Sequence, residues 1–185
     1  TSAKSLLQVT VEKIYSNTTM AHIIKPAVAI LSDEKGGTTN GGSSVSTGWD
    51  PRILNTVRGD SWFVTLTGTG TTGLGGTNDY FTLIPGDYEL EAFAPFYNTA
   101  YTQLRLFSVT KASIVEVGTN NQTVANNGFI NGPLYAKFTV TNDEQFTVAY
   151  RCSTAQATYG LGEDSTFSAA GDKSVFTQVK IRKLK

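Results

Sequence analysis

A chain of 185 residues has room for one domain with a single hydrophobic core that needs neither metal nor disulfide. Fifteen basic residues balance fifteen acidic ones, so there is no basic field to attract nucleic acid, and a single cysteine, Cys152, excludes an intrachain disulfide. Hydrophobic content is 39% and charged content only 16%, against a usual charged share of about 25%; Thr, Ser, Asn and Gly fill the gap, which suits hydrogen bonding to sugars or packing against copies of the same chain.

Thr1 to Ser5 is expected to be a loose entry, and Thr1 to Gln8 lacks the apolar run of a secretion signal. Leu7, Val9 and Val11 alternate within a strand expected over Leu6 to Ile14, with a turn at Asn17 to Thr19. His22 to Leu31 is apolar but contains Pro26, which predicts an edge strand or a bulged one. Ser32 to Thr47 is rich in Gly, Ser, Thr and Asn and is expected to be a long exposed loop. Strands are expected over Trp49 to Val57 and Trp62 to Thr67. Gly68 to Asn78 holds five glycines and four threonines but no Gly-Lys-Ser/Thr and no following helix, so an inter-strand loop is expected rather than a phosphate cradle.

Tyr80 to Val109 organises the chain. Pro85 and Gly86 suit a type II turn between a strand ending at Leu83 and one starting at Asp87. Tyr88, Leu90, Ala92 and Ala94 then alternate with Asp87, Glu89, Glu91 and Phe93, up to Pro95, which is expected to close the strand. A third strand sets Tyr101, Gln103, Arg105 and Phe107 opposite Thr102, Leu104 and Leu106. Ser113 to Val117 is a short strand and Gly118 to Gly128 a polar loop. Phe129 to Val140 and Gln145 to Cys152 are expected to form a hairpin across Thr141 to Glu144. Cys152 shares the alternation of Phe146, Val148 and Tyr150 and is expected to be a buried thiol. Thr158 to Asp172 is a third long loop, and Val175 to Leu184 a terminal strand whose basic tip is a solvated face. Roughly nine or ten strands without a convincing helix predict an all-β fold, a two-sheet antiparallel sandwich or jelly roll.

Phe81 to Ala92, with its Pro-Gly turn and Gly-x-Tyr, resembles the central strand pair of the tumour-necrosis-factor-like and complement-globular-head jelly rolls. Six further pieces resemble, in the same order, a domain recurrent in bacteriophage tail-fibre and virion-surface proteins. They are Lys4 to Val9, Trp49 to Val57, Leu83 to Pro95, Leu104 to Thr110, Tyr150 to Gly162 and Val175 to Leu184. The resemblance implies a two-sheet jelly roll over residues 1–185 with an extended or edge segment 1–47. It also implies a homotrimer and a structural or host-recognition role at a virion surface. Two departures are an insertion-like stretch between Ile14 and Thr47, and Phe96 to Tyr101 where relatives tend to carry basic residues.

Catalytic constellations are thin. His22 is the one histidine and has no partner of metal-ligand type at useful spacing. Glu89 and Glu91 share a strand face as paired glycosidase carboxylates might, but equally fill a solvated face. Asp79, Glu163 and Asp164 are isolated loop carboxylates, and Asn17 and Asn121 open glycosylation patterns expected to stay unmodified. The expected protein is therefore not an enzyme, takes no cofactor or metal, and does not insert into membranes, having no run of about 18 apolar residues. Its expected partners are itself as a homotrimer, other virion proteins, and a host cell-surface glycan or protein. The alternative is a capsid decoration protein. Loop residues Asn78, Asn121, Asn126 and Tyr159 are the candidate receptor contacts; Tyr97, Tyr101, Phe138 and Tyr150 are the candidate trimer contacts.

Overall fold

Period-two alternation sends one row of side chains from each strand inward, and here two sheets share those rows. The structure, a computed structural model, describes residues 26–67, 79–123, 128–164 and 172–184. The strand expected at Leu6 to Ile14, the turn at Asn17 to Thr19, His22, Asn126 and the whole Gly68 to Asn78 loop with Asn78 lie outside these residues. Among the described residues there are twelve strands and one turn of 3-10 helix, Ser61–Phe63.

One sheet has five strands in the order β10 (Phe129–Val140), β6 (Gly86–Tyr97), β12 (Lys173–Lys183), β1 (Ala27–Gly36) and β3 (Thr56–Gly59). The other runs β4 (Val64–Thr67), β5 (Tyr80–Leu83), β11 (Glu144–Cys152), β7 (Tyr101–Ser108), β8 (Ser113–Val117). Two short strands complete it: β2 (Asp50–Pro51) on β11 and β9 (Asn121–Gln122) on β7. All the pairings are antiparallel.

Register aligns the apolar positions into rows. Leu134, Ala92, Val179 and Leu31 sit side by side across four strands, and Ala136, Leu90, Ile181 and Ala29 form the next row. From the facing sheet Phe81, Leu104, Leu106, Phe146 and Val148 close onto them, all essentially inaccessible to water. Gly132 leaves room for a ring in this interior; a Cβ there would come within 2.9 Å of Phe96.

Several expectations change because periodicity names a strand's faces but not its partners. Pro85 and Gly86 do not form the expected type II turn: Gly86 has φ 158, nearly extended rather than the about +80° of that turn, and the two strands they join, β5 and β6, belong to different sheets. Thr141 to Glu144 likewise carries the chain between sheets, since β10 pairs with β6 while β11 pairs with β5 and β7. Pro95 does not end its strand. Pairing of β12 to β6 stops at Phe93, so at Pro95 the strand has a partner on one side only, a setting that tolerates proline.

Pro26 directly precedes β1, which is an interior strand between β12 and β3 rather than an edge; its bulge falls between Ser32 and Glu34, and the strand runs on to Gly36. The strand expected over Trp49 to Val57 is two, β2 and β3, one in each sheet, linked by the buried Ile53 and Leu54. Trp62 and Phe63 belong to the helical turn that leads into β4.

The interior and exterior rows should respond differently to truncation. Phe146→Ala is expected to lower the unfolding free energy by about 3–5 kcal/mol, and Phe93→Ala, on the outer face, by under about 1 kcal/mol, both read by urea unfolding of the isolated chain under conditions that hold it monomeric.

Candidate functional site

The alternation that buries Leu90 and Ala92 turns Phe93 outward, and the paired strand β10 turns Tyr135 outward beside it. Their rings meet edge to face at 5.9 Å. Phe93 is 40% exposed, Phe129 and Tyr135 59% each, and Val175 of β12 48%. Together they make an apolar surface on the outer face of the five-stranded sheet. An open cleft of about 720 Å³ lies where Phe93, Pro95 and Phe129 face Lys173, Val175 and Gln178. Toward the other end of the same face the side chains become charged: Glu89 meets Lys137 at 3.6 Å and Arg182 at 3.8 Å, and Glu91 meets Lys180 at 3.3 Å. Those pairings occupy the two glutamates considered as a carboxylate pair.

A second surface is the loop end of the sandwich. The Tyr97 amide donates to Gly160 O, Asn98 to Gly128 O, Thr123 to Ala100 O and Thr154 to Thr99 O. These bonds gather residues 97–101, 118–123 and 153–160 into one rim, supported from below by the Ser44–Gln156 bridge. Tyr101, 62% exposed, lies opposite Gln122 and next to Asn121. The Tyr97 and Tyr159 rings meet edge to face at 5.2 Å. The candidate receptor contacts Asn121 and Tyr159 and the candidate trimer contacts Tyr97 and Tyr101 thus share this rim.

Tyr150 and Phe138 part company with that group. Tyr150 is fully buried; its hydroxyl donates to Asp50 Oδ2 (3.2 Å) and accepts from the Val45 amide (3.1 Å), so it presents no surface to a partner subunit. Phe138 packs its ring on Tyr88 at 5.9 Å and Phe146 at 5.2 Å, inside the same chain. Both sit on inward-facing positions of long strands, Tyr150 as part of the core and Phe138 half-buried against it. Cys152 is buried as expected, its thiol directed at Val45 O and Thr154 O.

No spacing or alternation in the chain marks which charges are buried. Arg52, between β2 and β3, is fully buried: its Nε donates to Thr177 Oγ1 (2.9 Å), its Nη2 to Leu161 O (3.0 Å), and its guanidinium lies over Phe96 and Tyr150 at 5.3 and 5.6 Å. Asp33, at the β1 bulge, is buried nearby, and desolvation raises its carboxyl against the opposing pull of Lys35 and Arg52. Asp79 is buried at the start of β5, and desolvation pushes its carboxyl to about 6, with Asp33 and Asp50 adding to the rise and a hydrogen bond from the Leu54 amide opposing it.

The architecture has counterparts among solved structures. Murine APRIL (crystals at pH 8.0) superposes with a TM-score of 0.52 over 86% of this chain and 100% of its own, at 10% identity. The globular domain of the zebrafish complement 1qA protein gives 0.48 at 12% identity over 87% and 98%, and Eiger TNF from S. frugiperda 0.47 at 10% over 86% and 93%. The fold is a two-sheet antiparallel jelly roll like that of murine APRIL. No protein-family model and no curated protein sequence matches the chain. At these identities the likeness concerns backbone architecture alone.

Asp79 gives the jelly roll a pH dependence of known sign. Its carboxyl titrates above the ordinary value of an unfolded chain, so its contribution to stability is complete below about pH 4 and is lost as pH rises through about 6. Asp79→Asn is expected to flatten that slope and to leave the variant about 1–2 kcal/mol more stable than the parent at pH 8, with little difference at pH 4, measured by denaturant unfolding at both pH values.

Proposed function

We propose that the chain is a non-enzymatic binding module that works as a homotrimer, its subunits meeting through the outer face of the five-stranded sheet and presenting the loop rim to a receptor. The observation that carries this reading is the exposed Phe93–Tyr135 pair with Phe129 and Val175 beside it. Contiguous apolar surface of this kind is costly in water, and a closed cyclic assembly removes it from every subunit at once. The TNF/C1q-like architecture supports the same reading, as a fold suited to trimeric receptor-binding modules.

The loop rim is the receptor-facing part of the proposal. Asn121 and Tyr159 combine amide and phenol groups there, with Tyr97 and Tyr101 supplying further ring surface. Asn78 and Asn126 remain part of the proposed contact through their sequence positions. A host glycan or protein is the proposed receptor, and the surface of a virion the proposed location. That setting rests on the sequence resemblance of segments such as Leu83 to Pro95 and Tyr150 to Gly162.

Adsorption to host cells, set beside binding to empty capsid shells, tests the function. The unmodified protein is expected to bind cells. The Phe93→Lys/Tyr135→Lys double variant, with a melting temperature within a few degrees of the parent under monomeric conditions, is expected to lose at least about tenfold in avidity as its contacts become single. Equal adsorption by the variant would remove the sheet face from the account. Binding to shells and not to cells would replace the adhesion reading with capsid decoration.

A further inference from the structure

The outer face of the seven-stranded sheet carries a second constellation that the fold itself does not require. Arg105 on β7 and Arg151 on β11 sit on neighbouring strands, and both guanidinium groups lie over one indole, Trp49, at 4.4 and 5.0 Å from its ring centre. Arg105 also covers the Phe107 ring at 4.5 Å.

Of the other three arginines of the chain, Arg58 pairs with Glu34 at 2.7 Å and Arg182 faces Glu89 at 3.8 Å, while the core Arg52 donates through Nε and Nη2 to Thr177 and Leu161 and leaves its Nη1 without an acceptor. Arg105 and Arg151 have no carboxylate within ion-pair distance among the described residues, and the Nε of Arg105 is buried without an acceptor. Burial and the neighbouring Arg151 both disfavour the charge on Arg105. Two cations on one ring repel, and a single arginine would supply the cation–π packing of Trp49 without that repulsion. An anion set between the two forks would neutralise both, in the bidentate geometry that suits guanidinium to carboxylate and sulfate.

The surroundings narrow the anion to a sugar. Arg151 borders a cleft of about 520 Å³ lined also by Tyr101, Gln103, Asn120 and Ser153. The exposed Tyr101 ring offers a flat apolar surface to the C–H face of a pyranose, and Asn120 and Ser153 are hydrogen-bonding groups of the kind that read ring hydroxyls. A chain of zero net charge has no wider basic field with which to hold a nucleic-acid backbone.

We propose that Arg105 and Arg151, arrayed on Trp49, bind the acidic group of a carboxylated or sulfated saccharide whose ring lies in the adjoining cleft against Tyr101. The inference rests on the adhesion reading above and gives it a ligand class.

Titration of the purified protein with N-acetylneuraminyl-lactose, a heparin-derived tetrasaccharide and plain lactose, followed by tryptophan fluorescence and calorimetry, tests it. At least one acidic saccharide is expected to bind at least tenfold more tightly than lactose, to perturb Trp49 emission, and to weaken as salt is raised. Arg151→Gln and Arg105→Gln are expected each to lower that affinity about tenfold or more with the melting temperature kept, and Arg151→Lys to restore part of it. A Trp49→Phe control assigns the fluorescence change against Trp62. Indistinguishable binding of acidic and neutral saccharides, or undiminished binding by both glutamine variants, would overturn the site. If the protein adsorbs to cells while no acidic saccharide binds, this site is overturned and adhesion stands. If arginine-dependent binding is found without cell adsorption, the site stands and the adhesion reading fails.

Discussion

A chain of five aromatic rings joins the two sheets, and the rest of the molecule is arranged around it. Phe63 lies 6.0 Å from Tyr88, Tyr88 5.9 Å from Phe138, Phe138 5.2 Å from Phe146, and Phe146 5.9 Å from Phe81. Tyr88 and Phe138 come from the five-stranded sheet, Phe81 and Phe146 from the seven-stranded one, and Phe63 from the helical turn that closes one side. Such ring pairs contribute about 0.5–1.5 kcal/mol each beyond the area they bury. The larger consequence is geometric. Fixing these residues inward fixes the register of β6, β10, β5 and β11, and a period of two then dictates which residues are left outside.

Those outward residues are where function is argued. On β6 and β10 the register that buries Leu90 and Ala136 leaves Phe93 and Tyr135 in solvent. On β7 and β11 the register that buries Leu104 and Tyr150 leaves Arg105 and Arg151 under the Trp49 ring. The two constellations lie on opposite outer faces of the sandwich, so one can be covered by assembly while the other stays open to a ligand. Arginine is handled in contrasting ways: Arg52 is sealed in the core with two hydrogen bonds and two rings, whereas Arg105 and Arg151 hold rings on the outer face and pair with no carboxylate among the described residues.

Much of this was legible in the sequence, for a physical reason. Alternation is a local property, so the faces of β6 and β7 could be assigned from Tyr88–Ala94 and Leu104–Leu106, and that of β12 from Thr177–Ile181, before any partner was known; the alternation fails at Val175, which is exposed beyond the register shift opposite Ser32 and Glu34. Sheet membership is not local. The short links at Pro85–Gly86 and around Asp143 look like hairpins in sequence, yet both step between sheets, and only the register shows it. The Trp49 to Val57 stretch failed similarly, its apolar residues being buried by a crossover through Ile53 and Leu54 rather than by one continuous strand. Tyr150 is core rather than a subunit contact, because an aromatic ring on an alternating strand looks the same in sequence whether its neighbour is the opposite sheet or another subunit. The Arg–Trp–Arg array had no sequence signal, since Trp49, Arg105 and Arg151 are far apart along the chain.

The account turns on whether the outer face of the five-stranded sheet is covered in solution. The most direct measurement is the absolute mass of the unmodified chain by light scattering across the micromolar range. A particle of three times the 19.9 kDa chain mass is the predicted result, and a particle of one chain mass over that whole range would contradict it.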